Sequence, residues 1–122
     1  MRYAIILCFL LVLCLVIPFQ SSAESWVLWQ KTELVEIANR DVKTNLDWEI
    51  VSAYEKYGPC EQAQVRVWKS INKRAQDDKL KYHHTIEKVD SVSPSLVMTT
   101  YNSGSFLSQN LYCLPGTLDP RK

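Results

Sequence analysis

Glycine is scarce in this chain, three residues in 122, and without it there is no Gly-rich loop to cradle a phosphate. No G-x-S-x-G elbow or other nucleophile motif occurs. There is also no C-x-x-C redox pair, no Asn-x-Ser/Thr acceptor, no internal repeat and no low-complexity block. Excess charge of one sign is lacking too. Lys and Arg number 14 against 13 for Asp and Glu, and the two signs balance once Arg2 is set aside with the leader described below. A neutral chain has no field to draw in nucleic acid or an anionic membrane surface, so no nucleic-acid partner is expected.

Histidine is confined to His83-His84. The stretch from His83 to Asp90 reads as a strand, where adjacent side chains point to opposite faces, so the pair cannot chelate one metal without a bulge or loop. No Cys, Asp or Glu stands nearby at a ligand spacing. Neither a metal nor a cofactor is expected. Asp77-Asp78 point in different directions on a helix and read as solubility rather than as a glycosidase pair. Leu114-Pro115-Gly116-Thr117 lacks both the order and the apolar tail of a cell-wall sorting signal.

What is present begins with a leader. Met1-Arg2-Tyr3 carries a positive charge, Ala4 to Ile17 is an unbroken apolar run, Pro18 breaks it, and Ser21-Ser22-Ala23 supplies small residues for cleavage. The apolar run is shorter than the roughly 20 residues of a membrane-spanning helix. Residues 1–23 therefore read as a signal peptide, and no stable membrane insertion is expected after its removal. The rivals are an uncleaved anchor and lipid modification at Cys14, where the bulky Leu13 is unfavourable. The chain then divides into a single domain over 24–114 and a flexible, extended tail over 115–122, in a periplasmic or secreted protein.

Cys8 and Cys14 leave with the leader. In an oxidising compartment the remaining Cys60 and Cys113 most simply form one disulfide. Closing so long a loop contributes about 4 kcal/mol by chain-entropy reasoning, a large share of the roughly 5–15 kcal/mol that holds a small domain.

Ser25 to Leu34 reads as a first strand and Asp47 to Tyr54 as a second, with a loop from about Glu36 to Leu46 around the turn cluster Ala38-Asn39-Arg40-Asp41. On the second strand, Trp48, Ile50, Ser52 and Tyr54 share one side. Gly58-Pro59-Cys60-Glu61 opens a helix, with proline at its first position and Glu61 where the dipole favours a negative charge. Cys60, Ala63, Val67, Ile71 and Ala75 make its apolar stripe, flanked by Trp68. Gln62, Arg66, Lys69 and Lys73 take the solvated side. Arg74 near the middle of the stripe implies that burial fades after Ile71. The helix is read to about Asp78, where Asp77-Asp78-Lys79 close it poorly by dipole logic and imply fraying. Three further strands follow, over 83–90, 96–102 and 108–114, separated by Ser93-Pro94-Ser95 and Asn102-Ser103-Gly104-Ser105.

The implied fold is α+β, an antiparallel sheet of about five strands (ββαβββ) with one helix packed on one face. Cys60 lies on the helix stripe, so Cys113 and Leu111 face the helix, and Tyr112 and Asn110 face away. With assumed strand facings, Tyr101, Thr99 and Val97 join the outer side, as do Trp29 and Val27. One helix cannot cover both sides of such a sheet, so some of the many aromatic rings remain on an open face.

Trp26-Val27-Leu28-Trp29, the strand Trp48-Glu49-Ile50-Val51-Ser52-Ala53-Tyr54, Cys60 at the helix, Cys113-Leu114-Pro115 and Asp119-Pro120-Arg121 together form a pattern. It resembles short exported bacterial proteins of uncharacterised function. Gly116 departs from the pattern where an acid is expected, and Leu80 to Leu107 has no counterpart in it. The resemblance implies a bacterial, exported location and brings no activity with it.

The functional expectation is a non-enzymatic binding protein using Trp29, Tyr101 and Tyr112 on an aromatic sheet face to hold a protein or a small apolar ligand. The alternatives are a small hydrolase with a site assembled from dispersed Ser, His and acidic residues, and a secreted enzyme inhibitor presenting a loop or its tail.

Overall fold

The structure, a computed structural model, describes residues 25–122. The leader expected over residues 1–23 lies outside them. Five strands and one helix follow in the order β1 (Trp26–Ala38), β2 (Asp41–Tyr54), α1 (Tyr57–Lys81), β3 (Ile86–Val92), β4 (Leu96–Tyr101) and β5 (Phe106–Pro115). All strands lie in one antiparallel sheet ordered β2-β1-β5-β4-β3. This is the expected ββαβββ, α+β arrangement. The last of these strands, β5, sits in the middle of the sheet.

The helix closes over one face. Its first turn carries Cys60, disulfide-bonded to Cys113 of β5 with 6.1 Å between Cα atoms. Cys60, Ala63, Leu28 and Leu111 are the buried centre, and Trp26, Tyr54, Val67, Trp68, Ile71 and Cys113 pack around it. Leu28 opposes Cys113 across β1 and β5, so both point to the helix, as directly paired residues in an antiparallel ladder must. Two polar side chains of α1 finish the seam. Leu111 donates its N–H to Ser95, where β4 is about to begin, so its carbonyl points past the end of that strand. The buried Gln64 amide donates to that carbonyl at 3.0 Å, which meets the rule that buried backbone acceptors find partners. The Trp68 indole N–H likewise donates to Leu96 O at 3.0 Å.

Several local expectations are revised. Glu36 to Leu46 is not a loop. β1 and β2 run on as a regular ladder to Ala38↔Asp41, joined by Asn39 and Arg40 at φ 50° and 72°. Two positive φ values at a two-residue connection define the tight hairpin whose twist matches that of its strands. The alternation of Val35 and Ile37, then Val42, Thr44 and Leu46, is strand period turning on itself. The pairs from Glu36↔Lys43 to the turn extend beyond the start of β5, whose ladder with β1 stops at Val35↔Phe106.

The helix runs to Lys81 rather than Asp78. Lys79 and Lys81 in its last turn suit the dipole, and Tyr82 donates its N–H to Asp78 O at 2.7 Å. Burial does not fade at Ile71 either, since Ala75 is buried, with the exposed Arg74 at the rim of a cavity beside it. β3 begins at Ile86, leaving His83 and His84 in a turn with ring centroids 3.9 Å apart.

A register shift between Leu28 and Trp29 pairs Leu28 with Ser52 but Trp29 with Ile50. Val51 is the extra residue, and a bulge of this kind reverses the facing of everything beyond it. Ser52 and Tyr54 therefore face the helix, while Trp48 and Ile50 face away.

Replacing Leu111 by Ala should cost about 2–5 kcal/mol in denaturant unfolding, whereas Val92→Ala at an exposed strand end should stay within about 0.5 kcal/mol. Arg40→Gly should raise stability by about 1 kcal/mol, because glycine carries no steric penalty at positive φ. Urea titration of the three variants measures both effects.

Candidate functional site

The sheet face turned away from α1 is assembled from alternate residues of all five strands. Register places Trp29 opposite Tyr112 and Ile50, Lys31 opposite Asn110 and Trp48, and Val35 opposite Phe106. Tyr112 and Asn110 face outward as parity requires, and Trp29 and Val27 join them. Tyr101, Thr99 and Val97 do not. β4 pairs Val97 with Gln109 and Thr99 with Leu107, residues of the same parity as Leu111, so these side chains point to the helix. Val97 and Thr99 are buried, and Tyr101 lines a cavity of about 160 Å³ with Ile71 and Ala75 of α1. The assumed facing of β4 was one residue out of phase, which inverts a whole strand.

Of the expected binding trio, only Trp29 and Tyr112 thus share a face, and they differ in access. Trp29 is only 3% exposed. Trp48 meets it edge-on at 6.4 Å between centroids and reaches across to Tyr112 at 5.6 Å. The Arg121 guanidinium lies 5.0 Å from the Trp29 ring centroid, a cation held over the negative face of an indole. Trp29 is therefore the floor of a small outer cluster, with Trp48, Tyr112 and Arg121 above it. Its indole N–H is buried without a partner among the described residues.

The position of Arg121 is set by the tail. Gly116 donates its N–H to Ser25 O at 2.6 Å, and a Cβ at residue 116 would collide with the Ser25 side chain. A larger residue there would make the Ser25 side chain swing away and crowd its backbone. Leu118 N–H then turns back to Pro115 O, and Asp119 takes Arg121 by two side-chain bonds, at 2.9 and 2.7 Å, and by its backbone N–H. Bonds from Arg121 hold the Asp119 carboxyl down at about 2. The tail is thus folded in turns against the outer face rather than extended from the sheet.

The surface beyond this cluster is apolar and open along β2 and the tip of β1. Val42 is 65% exposed, Leu46 and Ile50 56% each, and Ile37 is exposed beside them. Lys31 pairs with Glu33 and lies 5.7 Å from the Trp48 ring centroid.

A second concavity gathers the groups a hydrolase would use. Glu36, His84, Ser103 and Ser105 line an open cleft of about 500 Å³ where the β1 tip meets the turns before β3 and after β4. The two hydroxyl oxygens accept backbone N–H groups, Ser105 from Ile37 at 2.9 Å and Ser103 from Ser105 at 3.3 Å. Asn102 ties the cleft together through the His84 carbonyl. No bond joins the His84 ring to either serine or to Glu36 among the described residues, and that ring stacks on His83 instead. The parts are adjacent without the nucleophile–base link that acyl transfer needs.

No group of three or more His, Cys, Asp or Glu that could hold a metal occurs among the described residues. No helix among them is long and apolar enough to cross a membrane. Comparison with known protein families, with curated proteins and with solved structures finds no match to this chain.

The lowered Asp119 pKa fixes a sign. The contact is fully present above the ordinary carboxylate value of 3.8 and is lost as pH falls through about 2. In Arg121→Ala the backbone N–H of residue 121 still holds Asp119, so its pKa should rise from about 2 toward 3.8 without reaching it. The Trp29 indole N–H should exchange faster with solvent. Both are read by NMR, and an unchanged indole exchange rate would remove Arg121 as its cover.

Proposed function

We propose that this protein is a non-enzymatic binding domain, exported and disulfide-stapled, that docks a protein partner on the outer sheet face. One observation carries the reading. Among the described residues the sheet has a single helix, on one side, and its other side presents Tyr112 and Trp48 beside the exposed Ile50, Leu46 and Val42. Contiguous apolar surface of this kind is costly to leave in water and marks interaction sites. A broad sheet face suits a protein better than a small apolar ligand, which needs enclosure to bury most of its surface. Trp29 acts here as support for the rings above it and does not itself meet the partner.

Export rests on the leader pattern, on the disulfide and on the resemblance to short exported bacterial proteins. A disulfide bridging α1 and β5 fits an oxidising compartment.

The hydrolase reading draws on the cleft holding Glu36, His84, Ser103 and Ser105. It is the weaker of the two because both serine oxygens are engaged by backbone and the imidazole is turned to its neighbour. The inhibitor reading needs a rigid loop standing out near Cys113. The segment there is folded onto the sheet, and the hairpin tip that does stand out lies at the far end of β1.

A photo-crosslinking side chain at position 112 should capture a distinct protein in the native host, and the same probe at Lys69 on the solvated side of α1 should not. The adduct should fall at least fivefold with Ile50→Asp. Equal capture from both positions, or no capture at 112, would remove the outer face as a docking surface.

A further inference from the structure

Among the described residues β2 is an edge strand, hydrogen-bonded on one side only, to β1. At 14 residues it is long for an edge, and unpaired edges of that length invite another strand unless something blocks them. The opposite edge, β3, has seven residues, and a short edge offers a second strand less to pair with. What β2 offers can be read residue by residue.

The tight turn at Asn39-Arg40 makes Ala38 and Asp41 a hydrogen-bonded pair. By alternation, Asp41, Lys43, Asn45, Asp47 and Glu49 spend their backbone groups on β1. Val42, Thr44, Leu46, Trp48 and Ile50 turn theirs to the open edge. The regular stretch is bounded by the turn at one end and the bulge at Val51 at the other.

A twofold axis perpendicular to the sheet would bring a second β2 alongside, antiparallel, with like faces together. Only registers centred on a single residue then keep outward backbone groups opposite outward backbone groups. Centred on Leu46, the ladder spans Val42 to Ile50 and ends at the bulge. It sets Val42 against Ile50, Thr44 against Trp48 and Leu46 against itself on the outer face. On the other face it sets Lys43 against Glu49 and Asn45 against Asp47. Lys43 and Glu49 fall in the non-hydrogen-bonded positions, where side chains come closest.

Neighbouring registers fail on charge. Centring on Asn45 opposes Lys43 to Asp47 but also Asp41 to Glu49, so its repulsion offsets its attraction, and centring on Asp47 opposes that aspartate to its own copy. Like charges directly opposite are destabilising. Centring on Thr44 opposes Asp41 to Asp47. The same register that uses the full regular stretch is thus the one that matches charge.

We propose that the protein forms a twofold dimer through β2, in register about Leu46, making one ten-stranded sheet with a continuous apolar outer face. This uses the backbone edge, and it stands apart from the binding of a distinct partner on the face itself.

Sedimentation velocity of the purified oxidised protein over a wide concentration range should show a monomer–dimer equilibrium. Glu49→Lys replaces two attractions per dimer by two repulsions and should weaken dimerisation at least tenfold. Lys43→Glu combined with Glu49→Lys should restore it. Both positions are exposed and Glu49 pairs with the neutral Gln30 of β1, so Glu49→Lys should fold as before. Lys43→Glu opposes Glu36 within the chain, a small cost, and far-UV circular dichroism checks that both variants remain folded. Under mild oxidation Leu46→Cys should form a covalent dimer and Thr44→Cys should not, because only residue 46 meets its own copy. A monomer at every concentration overturns the proposal. So does a dimer indifferent to Glu49→Lys, or equal cross-linking at 44 and 46. The monomeric Glu49→Lys protein should still capture its partner through position 112, so the two readings fail separately.

Discussion

The disulfide between Cys60 and Cys113 is the constraint from which the rest of the architecture follows. It joins the first turn of the only helix among the described residues to the strand at the centre of the sheet. A staple at an edge would let the helix swing. One at the centre fixes it over Leu28 and Leu111, where Ala63 is small enough to let the backbones approach and Gln64 supplies the donor that β4 no longer does. The core is small, and a cross-link that restricts the unfolded chain matters more in such a domain than in one with a deep interior. With the helix committed to one face, the other is left to side chains and tail alone.

That outer face is two surfaces rather than one. Near the start of β1 it is a closed cluster, with Trp29 under Trp48, Tyr112 and Arg121. Further along the hairpin it is a row of aliphatic side chains in water. The difference arises because the tail reaches only the first part. Gly116 allows the chain to turn tightly against Ser25, and the Asp119–Arg121 pair then aims the guanidinium at the indole. The same nominal strand pattern thus yields a packed residue at Trp29 and an exposed one at Ile50, its direct neighbour on β2.

The class of fold, the helix stripe and the facing of β5 were legible because each rests on local periodicity. Cys60 on the stripe and Cys113 beside Leu111 on one parity were enough to orient the central strand. Other features carry no such signature. The bulge at Val51 lies in a run that alternates without interruption, so Trp48 and Ser52 look equivalent until pairing separates them. β4 is apolar or hydroxyl-bearing on both sides, since Val97 and Thr99 face the helix while Leu96 and Met98 face away, and parity alone could not choose. The hairpin turn lacks the Asn-Gly pair that usually marks it, Arg40 standing where glycine would, and a loop was the natural reading. The contact of Arg121 with Trp29 joins residues far apart in sequence and depends on a turn that no pattern announces. For the candidate site, sequence supplied Tyr112 and Trp29 but neither the burial of the one nor the exposure of Ile50 and Leu46.

The central place of β5 bears on how the molecule is made. β1 with β2, and β3 with β4, are hairpins between sequence neighbours and can form early. Neither can join the other until the last strand is threaded between them. A chain stopped before Phe106 would hold two separate ribbons with four bare edges and a helix lacking its floor. Completion of the sheet therefore waits on β5, and a chain still being made would remain pliant until that strand was free to enter.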